Sequence, residues 1–253
     1  MFHESYDTAS TCLTLVACLN EIEDWSAAHP RHLPVMVLIE IKADSFAQAA
    51  TAAGVTTPQG GVPDEFAAGL LDDLDAEIRS AVPAKGLMTP DDARGSHPTL
   101  DAMVKADDWP TLDGSRGKLL FALDNENELR TIYRQASPTL KGRAMFTSSQ
   151  PGAPDAAFMN THSPGKGPEV RQLAKAGYLV RARADGDTQE ARSGDTTHRD
   201  EVLRNGATYV STDYFRPDPR FGTGYVVRLP RGVVARCNPV SAPPDCSAAQ
   251  LTE

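Results

Sequence analysis

Apolar residues recur along the chain in two alternating ways: at helical spacing of about 3.6 residues, and as short unbroken β-branched runs. In LVACLNEIEDW, Leu15, Val16, Leu19 and Ile22 fall on one helical face, and HPRH then interrupts the pattern. PVMVLIEIK follows, bounded by proline, and predicts a strand buried on both faces. VPDEFAAGLLDDLDAEIRSAV is the clearest helix, with an acidic first turn after Pro63 and an apolar stripe of Phe66, Leu70, Leu71, Leu74 and Ile78. Downstream, KLLFALD, RAMFTSS, AAFMNTH, YLVRARA and TYVSTDY read as strands. ENELRTIYRQA and PEVRQLAKAG read as helices, the second stopping at Gly177, and TQEARSGDTTHRDEVLRNG as a broken helix.

Strands alternating with helices predict an α/β fold with parallel strands. The sharper expectation is a TIM-type (β/α)8 barrel, because polar residues fall repeatedly at strand C-terminal ends: Glu40 and Lys42, Asp124, Arg181 and Arg183, Asp213. An open doubly wound sheet gathers its site at the same edge. No Gly-rich phosphate loop is present, which lowers the case for a nucleotide-binding sheet. The five or six strands expected after residue 30 fall short of a closed barrel, so an incomplete barrel is expected.

Composition narrows the choices. The chain has 253 residues, 40% hydrophobic and 23% charged, ordinary for a globular protein. Its 34 acidic against 25 basic residues leave a net charge of −9, which argues against nucleic acid as a partner. No window approaches the roughly 18 apolar residues of a membrane span, and MFHESYDTAS lacks the basic and apolar parts of a signal peptide. The four cysteines form two local pairs, Cys12 with Cys18 and Cys237 with Cys246. Disulfides are favoured over metal-bound or free thiols, since neither spacing is C-x-x-C and no histidine stands at zinc-finger spacing. That points to an exported, extracellular protein whose export signal is not in this chain. A Cys12–Cys18 bond also requires non-helical chain around residues 10 to 14, because six helical steps would separate the Cα atoms by about 9 Å.

The chemistry starts from spacing. Glu40 and Lys42 stand two apart on a strand and point to one face, presenting a carboxylate for a hard cation and an ammonium for a phosphate, or a simple ion pair. Arg181 and Arg183 repeat the geometry, and two same-face arginines in an apolar strand are costly unless an anion or carboxylate meets them.

HESYDTASTC, LIEIKAD, RGKLLFALDN, GYLVRARADGDT and GATYVSTDYF, in this order, resemble the bacterial calcium-dependent phosphatidylinositol-specific phospholipases C, members of the wider superfamily of barrel phosphodiesterases. The resemblance runs to about Pro239, which sets residues 1–239 as a partial barrel and 240–253 as a tail with Cys246 pairing back to Cys237. It implies a phosphoric diester hydrolase that uses Ca²⁺ and releases diacylglycerol and an inositol phosphate. It further implies His3 as the general acid toward the leaving oxygen, Glu40 as a calcium ligand, Lys42 on a phosphate oxygen, and Arg181, assisted by Arg183, toward the substrate. Asp124 is a candidate to orient Lys42 or an inositol hydroxyl.

In the family a first histidine, followed by asparagine, and a Glu-x-Asp pair precede the FHESYD motif and supply the general base and most calcium ligands. Only Met1 precedes Phe2 here, so the chain is expected to be the C-terminal part of such an enzyme, inactive if truncated. Related glycerophosphodiesterase activity, or a non-catalytic partial barrel, are the alternatives. Lys118 is expected to be structural, Asp213 and Tyr214 to cap the last strand or touch substrate, and His29, His32, His97, His162 and His198 to have no role. Expected partners are a phosphoinositide or other phosphodiester and a transient membrane surface, with the protein monomeric.

Overall fold

The computed structural model describes residues 11–41, 68–126 and 128–253. His3, Lys42, Phe66 and the rest of the segment between Lys42 and Ala68 lie outside these. In chain order the elements are α1 (Leu15–Ala28), β1 (Val35–Ile39), α2 (Ala68–Ala81), α3 (Pro90–Arg94), α4 (Leu100–Lys105), α5 (Leu112–Ser115), β2 (Leu119–Leu123), α6 (Glu128–Gln135), β3 (Met145–Thr147), β4 (Phe158–Thr161), α7 (Gly167–Lys175), β5 (Leu179–Arg183), α8 (Gln189–Ser193), α9 (Thr197–Arg204) and β6 (Tyr209–Ser211). Every strand expected from the hydrophobic pattern is present. All pairings are parallel, in two sheets ordered β1-β2-β3 and β4-β5-β6. The fold class is therefore α/β with parallel sheets, as the alternation of elements predicts.

The described residues divide into two compact units, one drawn from Met1–Gly95 and Pro110–Thr147, the other from Ser96–Trp109 and Ser148–Glu253. In the first, α1 starts where Thr14, in extended conformation, accepts the Ala17 amide on its hydroxyl at 3.1 Å. The Cys12–Cys18 disulfide spans this start with Cα atoms 5.4 Å apart. It meets the requirement for non-helical chain ahead of Leu15.

The core of this unit is β2, whose LLFAL is buried at every position, with Phe121 and Leu123 wholly inaccessible. Burying each such side chain contributes about 1.5–3 kcal/mol. β1, expected to be buried on both faces, is only half-buried over Val35–Leu38. Among the described residues it pairs with β2 alone, and no described strand lies against its other flank. β2 starts from a tight approach: Gly117, with φ of +68°, donates to His32 O, and a Cβ there would stand 2.5 Å from Pro30 O.

The stripe of α2 places Leu71 and Ile78 in the core as expected, but Asp75 shares that face and is buried too. It is satisfied: Tyr133 donates its hydroxyl to Asp75 at 2.5 Å, the Ala144 amide donates at 3.2 Å, and Arg143 stands over the Tyr133 ring. Burial pushes the Asp75 carboxyl above its ordinary value despite these bonds.

In the second unit α7 stops before Gly177, which has φ of +87°. The broken helix is α8 and α9, separated at Gly194, whose left-handed φ of 72° ends α8 while its amide caps onto Glu190 O. The tail is held by Asn238, which donates to Gly206 O at 2.8 Å, and by the Cys237–Cys246 disulfide, with Cα atoms 6.0 Å apart. Both cysteine pairs are bonded, which rules out the metal-bound alternative for them.

Candidate active site

Parallel strands bring their C-terminal ends to one edge, so a residue just past a strand is placed by register. In the first unit Ile39 pairs with Leu123, and Glu40 and Asp124 come next on neighbouring strands. The Asp124 amide donates to Ile39 O at 2.8 Å. Asn125 clamps the chain leaving β1: its Oδ1 accepts from the Ile41 amide at 2.9 Å and its Nδ2 donates to Ile41 O at 3.0 Å. This double bond across 84 residues of sequence holds the backbone after Glu40, and Asn125 was not among the expected site residues. Glu40 is exposed, while Asp124 is 8% exposed. Lys118 precedes β2 at the opposite edge, its main-chain carbonyl accepting from the Val35 amide at 3.2 Å.

In the second unit the exposure of LVRAR alternates, with Val180 and Ala182 buried and Leu179, Arg181 and Arg183 partly exposed. The two arginines share a face, as the spacing predicts. Arg181 donates from Nη1 to Asn160 Oδ1 at 3.0 Å and from Nη2 to Ser211 Oγ at 2.7 Å. Asn160 is its register partner on β4, and Ser211 lies two residues beyond its partner Tyr209 on β6. The guanidinium is thus gripped from both neighbouring strands, without a carboxylate in either contact. Arg183 makes only a loose ion pair, 3.7 Å to Asp213, and its Nε is buried with no hydrogen-bond partner among the described residues. Leaving such a donor unpaired costs about 1–3 kcal/mol, which a ligand oxygen would recover.

The backbone of Asp213 and the ring of Tyr214 are held just beyond β6. The Asp213 amide donates to the wholly buried Asp185, which also accepts from the hydroxyls of Thr212 and of Tyr225, and Tyr214 packs edge-on against Tyr225. Three of the histidines given no role are held in structural contacts. His32 is buried between Ser26 Oγ and Leu33 O, His29 stacks on Trp25, and His97 pairs with Asp108. His198 bonds Glu190 at 2.8 Å, and a Cβ on Gly165 would stand 3.2 Å from its Nε2. Burial pushes the Glu190 carboxyl up, but the Gly186 amide and the His198 ring outweigh it and hold it below its ordinary value.

These features define a parallel α/β protein with carboxylates at one set of strand ends and a pair of arginines on one face at another. The profile of the family described as phosphoinositide phospholipase C, Ca²⁺-dependent, matches residues 1–239, and the chain belongs to that family. The calcium-dependent phosphatidylinositol-specific phospholipase C of Streptomyces antibioticus superposes with a TM-score of 0.54 at 19% identity, over 87% of this chain and 76% of that one. The calcium-dependent enzyme of a Gram-negative Pseudomonas species, solved as a myo-inositol complex, superposes with a TM-score of 0.50 at 19% identity, over 78% of this chain and 64% of that one. The apo Pseudomonas enzyme in crystal form 1 gives 0.51 at 20% identity, over 84% of this chain and 67% of that one. The chain therefore spans about two thirds to three quarters of the length of these enzymes. Comparison with curated proteins finds no match.

The family's name makes calcium the implied metal. Calcium gathers about six to eight oxygens. Glu40 and Asp124 offer carboxylates of the right chemistry at neighbouring strand ends, but no group of three His, Cys, Asp or Glu converges among the described residues. Those residues by themselves do not fit the ion.

Proposed function

We propose that the chain acts as a phosphatidylinositol-specific phospholipase C, cleaving the phosphodiester to diacylglycerol and an inositol phosphate. The observation that carries the reading is Arg181, gripped between Asn160 and Ser211 beside Arg183 on one sheet face. Two cations on one face at the C-terminal part of a strand suit a phosphodiester, whose transition state gathers negative charge on the phosphoryl oxygens.

In this reading the inositol 2-hydroxyl attacks phosphorus, its proton passes to a base, and the bond to the diacylglycerol oxygen breaks. His3 protonates that leaving oxygen, Lys42 holds a phosphoryl oxygen, and Asp124 accepts from Lys42 or an inositol hydroxyl. Glu40 is the carboxylate that would hold calcium, an ion that would stabilise negative charge on the phosphoryl oxygens. Contact with a lipid surface would fall to Phe215, 64% exposed just beyond β6, with the Arg216 guanidinium 5.4 Å from its ring centroid. The two disulfides fit a secreted protein working in an oxidising compartment.

Turnover of phosphatidylinositol by the purified chain, with phosphorus NMR of the products, tests this. An inositol cyclic phosphate is expected, because it forms only when the substrate's own hydroxyl attacks. Arg181→Ala should lower the rate by about 100-fold, the scale of a lost transition-state donor. Calcium-dependent release of diacylglycerol with no cyclic product would mean direct water attack, and no turnover at all would sink the activity for this chain.

A further inference from the structure

We propose that the stretch from Phe215 to Val234 docks on anionic phospholipid, with Arg228, Arg231, Val233 and Val234 meeting the bilayer alongside Phe215; the choice of a lipid partner rests on the reading above. The first observation is a local reversal of charge. The whole chain carries −9, yet between Asp213 and Asp245 it holds five arginines, Arg216, Arg220, Arg228, Arg231 and Arg236, against a single acid, Asp218. An anionic surface repels the protein as a whole, so it is met where the sign reverses.

Two of these cations are already engaged. Arg220 is held by Asp218 at 2.5 Å, and Arg236 donates to Leu203 O on α9. Arg216 stands over the Phe215 ring. Arg228 and Arg231 are exposed, and their guanidinium groups make no hydrogen bond or ion pair among the described residues.

The fold joins these cations to apolar side chains that it leaves in water. Ser211, the last residue of β6, pairs with Arg183, so the chain beyond it starts at the C-terminal edge of the second sheet. There Tyr214 packs against Tyr225 and Phe221, with ring centroids 5.6 and 6.2 Å away, while Phe215 stays largely exposed. The Val227 amide donates to Tyr214 O at 2.9 Å, which lays the chain at Arg228 beside that at Phe215 and Arg216. A tight turn follows, closed by Gly232 donating to Leu229 O at 3.0 Å. Pro230 holds its second position and Arg231, with a left-handed φ of +66°, its third, a place that favours glycine or asparagine. The turn returns the chain beside Leu229 and leaves Val233 41% and Val234 90% exposed.

A bilayer matches both halves of this pattern, because apolar side chains enter the boundary of headgroups and acyl chains while arginines stay at the phosphates. Nucleic acid would meet the arginines but leave Phe215 and the valines in water. A second copy of the chain would cover the valines but set like charges against each other.

Sedimentation of the full chain with vesicles of phosphatidylcholine, alone or mixed equally with phosphatidylglycerol, measures docking without the lipid that is cleaved. Binding to the anionic vesicles should be about 10-fold tighter or more, and should fall as salt rises. R228Q/R231Q should weaken it by about 25-fold, roughly five-fold for each cation at the surface. Val234→Ala should weaken it by about 4-fold, the scale of one methylene withdrawn from the bilayer. All three side chains are exposed, so the thermal midpoint should not move. Turnover of water-soluble glycerophosphoinositol should also be unchanged in these variants, which separates docking from the phosphodiester site. Equal binding to both vesicle types, or anionic binding unchanged in R228Q/R231Q, overturns the docking surface, and soluble turnover then leaves the phosphodiester reading standing. Anionic binding with no soluble turnover counts for the surface and against that reading. Dimers seen by light scattering that Val234→Ala dissolves would make a second copy the occupant and overturn the proposal.

Discussion

Tyr133 ties three elements through one hydroxyl, which donates to Asp75 on α2 and accepts from the Met145 amide at the start of β3, 3.1 Å away, while its ring packs in the core from α6. Removing the oxygen leaves a buried carboxylate short of a donor and a strand amide without an acceptor. Tyr133→Phe should therefore cost about 1–3 kcal/mol, seen as a lower denaturation midpoint at unchanged m-value. Asp75 itself was invisible in the helical pattern, because its only signal is a polar residue on an apolar face, and its partners come from 58 and 69 residues away. Arg181 and Arg183 were legible for the opposite reason: two cations at alternate positions of a strand must share a face whatever surrounds them. Asn160 and Ser211, which grip Arg181, carry no such local mark.

The long amphipathic helices and the β-branched strands follow from local pattern, and so does the break between α8 and α9, where Gly194 takes a left-handed turn. The short helices α3, α4 and α5 did not register, being four to six residues long and without a full amphipathic period. Their caps were nevertheless written in the chain: Thr89, Thr99 and Thr111 each accept an amide on the hydroxyl, and Thr89 and Asp92 close a capping box. The junction of α8 and α9 carries a pH dependence. The folded Glu190 carboxyl lies below its ordinary value near 4.5, so its ionised form favours the fold at neutral pH, and this contribution is lost as pH falls through the lowered value. Thermal unfolding followed from pH 7 down to pH 3 should show a steeper loss in the wild type than in Glu190→Gln. Equal slopes would mean the Glu190–His198 contact does not stabilise the fold.

Calcium affinity is a property of the chain as a whole, since ligands from several strands must converge. With Glu40 and Asp124 as the described carboxylates at that edge, calorimetric titration of calcium alone should give a Kd weaker than about 0.1 mM, and Glu40→Gln should weaken it further. Submicromolar binding would require a complete oxygen cage and would contradict this expectation. The net charge of −9 and the two local disulfides likewise belong to the chain as a unit, and both were plain in the sequence.

The sequence by itself determined the order and type of the elements, the shared face of Arg181 and Arg183, the strand-end positions of Glu40 and Asp124, and the pairing of cysteines six and nine residues apart. Each depends on backbone period or on chain close at hand. The tertiary structure decided which strands are neighbours and in what register. The ladders of the second sheet join residues 21 and 28 positions apart, and β1 meets β2 across 84, so the grip of Asn160 and Ser211 on Arg181 exists only once β4, β5 and β6 lie side by side.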